Sequence, residues 1–230
     1  DWHCENGDAI AGLQWAGGVR LARFFDDRRV FGEDYWRDKV VLELGAGQGL
    51  TSCLLSTLGC KRVVCSDADI THALQTVERN ADVLKAKPEV IAYSWGVGAP
   101  PIVADIIVCG DCLYNKEHAH LLVRGLLDCA SLDTSIYLCG AVGEDAYRAF
   151  LAEAPRHFDV EVLDGSAQTG TNVNTWQKRD LLRLTKRPPG PSLQAIQPGR
   201  KDKLVGDDAA LFDDVSDGDT ITSVEDFTAR

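Results

Sequence analysis

Lys39-Val40-Val41-Leu42-Glu43-Leu44-Gly45-Ala46-Gly47-Gln48-Gly49-Leu50 is the stretch that decides the fold. Its first six residues form a short apolar run rich in β-branched side chains and closed at once by glycines, which predicts a buried parallel strand feeding a tight turn. A helix is expected from about Leu50 to Leu58, ended by Gly59. Glycines at alternate positions let the backbone turn sharply and leave bare amides at the helix start, where a ligand can lie. A dinucleotide fingerprint requires a third glycine at position 50, which is Leu50, and no lysine follows as in a phosphate-binding loop. The turn suits a ligand with no pyrophosphate to cradle.

Outward from this turn the same alternation repeats. Upstream, Trp15, Val19, Ala22 and Phe25 fall at helical spacing and predict an opening amphipathic helix packed on the main domain. Downstream, Arg62–Ser66 reads as a second strand ending in Asp67, and Ile70–Lys85 as a helix with Leu74, Val77 and Ala81 on one face. Strands are expected at Val90–Trp95, Asp105–Gly110 and Ile136–Gly140, with helices at Glu117–Ala130 and Glu144–His157. Two further strands, Asp159–Leu163 and Trp176–Thr185, are joined by a Gly/Thr/Asn-rich loop with no helix between them, which fits a hairpin. The expected architecture is α/β: a doubly wound, mostly parallel seven-stranded sheet with an antiparallel edge hairpin and helices on both faces. Residues 1–187 make up this domain. Residues 188–230 begin with a Pro-rich joint and carry nine acidic against four basic residues, the composition of a linker and acidic tail.

The formal net charge of −11 and pI of about 4.8 argue against a polyanionic partner, so no nucleic acid is expected and a basic protein partner is favoured. No apolar run approaches the roughly 20 residues that cross a bilayer, so no membrane association is expected. Cys4, Cys53, Cys60, Cys65, Cys109, Cys112, Cys129 and Cys139 lie mostly within apolar runs, where cysteine behaves as a small hydrophobe, and this favours a reducing, cytoplasmic setting. Cys109 and Cys112 form a CxxC, but no second CxxC or nearby histidine pair completes a zinc set, so no metal site is expected.

In an open parallel sheet, ligands bind at the carboxyl ends of strands where the strand order reverses. Asp67 ends the second strand about 20 residues after Gly45, placed to accept hydrogen bonds from ribose hydroxyls. The glycine turn together with this acid resembles the class I, seven-strand methyltransferases. Gly12-Leu13-Gln14-Trp15-Ala16-Gly17-Gly18, LELGAGQGL (42–50), VVCSDAD (63–69), Tyr93-Ser94-Trp95-Gly96 and Gly110-Asp111-Cys112-Leu113-Tyr114-Asn115 narrow this to a resemblance to the lysine-methyltransferase-like family 16, over about Gly12 to Thr185. The wording Tyr114-Asn115-Lys116-Glu117-His118 is similar to members that methylate the amino end and nearby lysines of translation elongation factor 1-alpha.

The resemblance implies S-adenosyl-L-methionine as cofactor, with contacts at Trp15, Glu43, Gly45, Ala46, Gly47, Asp67, Trp95 and Gly110. Two positions depart from its pattern: Ser94, where relatives often carry an acid or Asn, and the Gly17-Gly18 pair, where bulkier residues are usual. It further implies an enzyme acting on a protein amine, elongation factor 1-alpha being the named candidate; a monomer is expected. Three residues after the fourth strand are assigned to the methyl-transfer step: Asp111 as orienting acceptor for the amine, Tyr114 as aromatic wall and hydrogen-bond partner, and Asn115 in support. A small-molecule N- or O-methyltransferase and a non-catalytic interaction module with the same fold remain open. A closed apolar pocket would favour the small molecule and an open acidic groove a protein.

Overall fold

The computed structural model describes residues 12–13, 15–164 and 178–189. The expectations for Cys4, Gln14, Trp176 and most of the acidic tail lie outside them. Among the described residues no helix is long and apolar enough to cross a membrane.

The elements, in chain order, are α1 (Ala16–Asp26), β1 (Val40–Leu44), α2 (Leu50–Leu58), β2 (Arg62–Asp67), α3 (Thr71–Arg79), β3 (Glu89–Ala92), β4 (Ala104–Gly110), α4 (Ala119–Cys129), β5 (Ala130–Ala141), α5 (Asp145–Glu153), β6 (Phe158–Asp164) and β7 (Arg179–Lys186). Short 3₁₀ turns precede α4 (Lys116–His118) and follow α5 (Ala154–Arg156). The seven strands form one sheet in the order β3-β2-β1-β4-β5-β7-β6. All neighbours pair in parallel except β7, which runs antiparallel to both β5 and β6. The expected hairpin is present, and β7 inserts between β6 and the rest of the sheet.

Because side chains alternate across a strand, each central strand supplies two cores. Val41, Ile106, Val108, Tyr137, Cys139 and Leu181 pack beneath α1 and α2 with Leu21, Phe25, Phe31, Trp36 and Leu55. Leu42, Leu44, Ile107, Cys109, Ile136, Leu138, Leu182 and Leu184 pack on the other face with Leu122, Val123, Leu126, Tyr147 and Phe150. The seven described cysteines are buried free thiols, as their apolar context predicts. Burial pushes most of these thiols well above their ordinary value, Cys53 to about 11 and Cys60, Cys129 and Cys139 to about 12.

Several elements differ in extent from expectation: β5 begins at Ala130 rather than Ile136, and α5 ends at Glu153 rather than His157. α3 ends at Arg79 rather than near Lys85, and its buried face carries Ala73 and Val77 while Leu74 is half exposed. On that face Ala73 lies close to Gly49, its methyl 3.5 Å from where a Cβ on the glycine would stand, and Val77 follows at i+4. β3 closes at Ala92, so Tyr93 and Trp95 stand on the loop beyond it.

Candidate functional site

The carboxyl ends of β1 and β4 meet the amino ends of α1 and α2 around a small open cleft. Its walls are formed by Leu13, Trp15 and Gly18 on one side, by Glu43 and the turn Gly45-Ala46-Gly47-Gln48 on another, and by Leu50, Thr51 and Gly110. Gly45, Gly47 and Gly49 all adopt left-handed φ values (66°, 52° and 71°), which side chains strongly disfavour. The turn is tied to β2 by hydrogen bonds. The Ala46 amide donates to the Ser66 carbonyl (3.0 Å), the Gly47 amide to Asp67 Oδ2 (2.8 Å), and the Ser66 hydroxyl to the Glu43 carbonyl (2.7 Å).

Glu43 closes the floor of the cleft. α2 starts at Gly49 with no side-chain cap of its own. The Glu43 carboxylate supplies one instead, accepting the Ser52 amide (2.9 Å) and hydroxyl (2.5 Å). Full burial lifts this carboxyl from 4.5 to about 7, and the Ser52 hydrogen bonds only partly oppose the rise.

Trp95 is a brace beneath the turn. A Cβ on Gly45 would lie 2.8 Å from its ring, and one on Gly125 of α4 would lie 3.1 Å from its Cβ. Cys112 fills the other side of Gly45, 2.8 Å from such a Cβ, and its thiol donates to the Leu44 carbonyl (3.0 Å). The absent side chain at Gly45 makes room for Trp95 and Cys112, while the opposite face of the turn borders the cleft.

The end of β4 is built differently. Asp111 adopts a left-handed φ of 53° without being glycine. Arg179 Nε donates to both of its carboxylate oxygens (2.9 and 3.0 Å), and the Gly17 amide donates to Oδ2 (2.7 Å). Both side chains are almost fully buried, 7% and 3% exposed. The departure at Gly17 now has a cause, since a Cβ there would lie 2.7 Å from Asp111 Cγ; a Cβ on Gly110 would likewise lie 2.8 Å from Gly18 Cα, while one on Gly18 itself would meet only the Thr51 hydroxyl at 3.7 Å. Tyr114 stands half exposed beyond β4, edge-on to His118 at 6.4 Å between ring centroids. Burial, with the Asp67 carboxylate adding to it, raises its hydroxyl above the ordinary value, so it stays neutral through physiological pH. The Asn115 side chain accepts the Glu117 amide (2.9 Å), a local cap on the 3₁₀ turn.

The family model described as lysine methyltransferase matches residues 2–157. The chain belongs to this family. It is 26% identical over 171 residues to EEF1A lysine methyltransferase 3 of Xenopus tropicalis, covering 71% of this chain and 73% of that one. It is 31% identical over 130 residues to the protein N-terminal and lysine N-methyltransferase EFM7 of Debaryomyces hansenii, about half of each chain (48% and 49%). It is 25% identical over 170 residues to the human electron transfer flavoprotein beta subunit lysine methyltransferase (73% and 63%). A solved putative RNA methyltransferase from Pyrococcus horikoshii shares the fold with a TM-score of 0.56 at 18% identity, over 77% of this chain and 88% of that one.

Within this lysine methyltransferase, the structure brings Trp15, Glu43, Gly45, Ala46, Gly47 and Gly110 together on the cleft. Asp67 and Trp95 support the turn from behind its wall. Arg179, which the sequence analysis passed over, is the principal addition. Its only sequence signal is a charged residue two positions before Leu181, on the strand face that packs under α1. Among the described residues no cluster of His, Cys, Asp and Glu could hold a metal ion.

Proposed function

We propose that this methyltransferase transfers a methyl group from S-adenosyl-L-methionine to a lysine or amino-terminal amine of a protein, with elongation factor 1-alpha as the first acceptor to test. The observation that carries the reading is the open cleft walled by the left-handed glycine turn, with Glu43 on its floor and Asp67 behind the turn. The bare glycine turn, with no basic side chain among the described lining residues, suits a ligand without phosphate, as S-adenosylmethionine is. S-adenosylmethionine supplies an activated methyl group when bound, and the chain supplies placement and a route for the amine.

Glu43, Gly45, Ala46 and Gly47 hold the amino-acid part, and Trp15 and Gly110 close over it. Asp67 keeps lone pairs for ribose hydroxyls beyond those used by the Gly47 and Asp69 amides. Trp95 fixes the turn on the adenine side. Tyr114 forms the wall along which a lysine side chain enters, its neutral hydroxyl ready to accept or donate a hydrogen bond to the amine. In-line displacement needs little beyond alignment of nitrogen, carbon and sulfur, together with a neutral amine. A free lysine titrates near 10.4, so activity is expected to rise from about pH 6 to 9.

The relatives with protein acceptors named above support a protein over a small metabolite, as does a cleft open to solvent rather than an enclosed apolar pocket. The net charge of −11 favours a basic protein partner over nucleic acid. On the same reading the enzyme is a cytoplasmic monomer whose domain spans residues 1–187, followed by a linker and acidic tail. The direct test is mass spectrometry of elongation factor 1-alpha incubated with this protein and labelled cofactor. Label on lysine or amino-terminal nitrogens is expected. Label confined to carboxylates, nucleobases or metabolites overturns the reading.

A further inference from the structure

We infer that Asp111 is a positioning residue that latches α1 to β7, and that the Asp111–Arg179 pair sets the wall of the cleft formed by Trp15 and Gly18. The inference rests on the reading of that cleft as the cofactor site.

The geometry leaves Asp111 little freedom to meet an incoming amine. Its carboxylate takes two bonds from Arg179 and one from the Gly17 amide, and its own amide donates to the Cys139 carbonyl (2.8 Å). One residue therefore joins four elements: the end of β4, β5, β7 and the first turn of α1. β7 runs antiparallel, so its first residue, Arg179, pairs with Ala141 and lies at the carboxyl ends of the parallel strands, where Asp111 emerges. A second link repeats the connection, since the buried Arg20 of α1 donates from Nη1 to the Arg179 carbonyl. Gly17, Gly18 and Gly110 bring the backbones so close that no Cβ fits at Gly17 or Gly110. Trp15 is the residue at which α1 begins, and Trp15, Gly18 and Gly110 all line the cleft. Moving the latch moves that wall.

A group that touches the amine and a group that holds the wall give different signatures. Asp111→Asn keeps the shape, tolerates the left-handed backbone and loses the charge. Arg179→Gln removes the partner without touching the cleft lining. If the pair is a latch, each variant speeds amide hydrogen exchange in the segment 15–25 by about tenfold or more, the scale of one lost charge-assisted hydrogen bond. Each also weakens S-adenosylmethionine binding by a comparable factor in calorimetry, and the double variant is no worse than either single one. The pH profile of the remaining activity keeps its shape, and Arg179→Lys recovers part of both losses. Arg179→Lys also carries the test should Asp111→Asn fail to fold.

Wild-type exchange and cofactor affinity in Arg179→Gln, or fully additive losses in the double variant, overturn the latch. So does a displaced pH profile in Asp111→Asn alone, which would return Asp111 to the amine. A wild-type protein that binds no S-adenosylmethionine removes the functional reading, while the exchange measurement, made without ligand, still decides the latch.

Discussion

The turns after β1 and β4 both leave the sheet through left-handed backbone, by opposite means. After β1, glycines at 45, 47 and 49 take the conformation at little steric cost, and the bonds that hold them come from the adjacent strand β2. After β4, Asp111 takes it against a penalty of roughly 1–2 kcal/mol. A buried pair with Arg179, 68 residues further along the chain, holds it there. A local device is written into a few consecutive residues. A tertiary device exists only once distant elements have met.

The largest effect that separates the two turns is expected at Arg179. Arg179→Ala leaves the Asp111 carboxylate buried without its partner and should cost about 3–5 kcal/mol in denaturant unfolding. A loss below about 1 kcal/mol would erase the distinction, because the β4 turn would then stand without the latch.

Next in size is the floor of the β1 turn. The folded state raises Glu43 to about 7 from 4.5, so native protein holds that proton more tightly than unfolded chain does. Its contribution is present below pH 4.5 and is lost as pH rises through 7. The full span corresponds to about 3 kcal/mol. Glu43→Gln keeps an acceptor for Ser52 and should flatten the fall in stability between pH 5 and 8. A variant with the wild-type slope would assign that fall to other groups.

Asp67→Ala removes the brace on the Gly47 amide and is expected to weaken cofactor binding by about 1–3 kcal/mol with little change in melting temperature. A loss confined to turnover, with affinity intact, would move Asp67 out of the cofactor half. The smallest effect is expected outside both turns: Tyr114→Phe should lower kcat less than tenfold and less than Tyr114→Ala, since the ring forms the wall. The reverse order would make the hydroxyl the working part.

This contrast also explains what could be read from the sequence. The β1 turn, Gly59 at the end of α2 and Asp67 at the end of β2 are encoded within a few residues of where they act, and all were found. The alternation of strands and helices gave the sheet because strand and helix periods are themselves local. Leu74 lies off the buried face, which Ala73 and Val77 take instead, because helical spacing alone does not say which stripe of α3 meets the sheet. Asp111 is legible as the residue that closes β4, but nothing near it in the sequence names Arg179 as its partner. Arg179 itself lies in Lys178-Arg179-Asp180, which reads like any charged strand entrance. Asn115 was grouped with the site by adjacency, and its side chain caps the turn it begins.

The connection from α1 to β7 has a consequence for how the protein is made. During translation α1 leaves the ribosome early and Arg179 late, separated by 159 residues in the bond from Arg20 to the Arg179 carbonyl. Contacts of such long sequence separation form late, because the intervening chain must be ordered before they add stability. The glycine turn can be in place on a nascent chain once β2 and α2 have emerged, while the wall opposite it waits for β7. A chain halted before Arg179 would carry every residue of the glycine motif and still lack the wall that Asp111 and Arg179 hold in place.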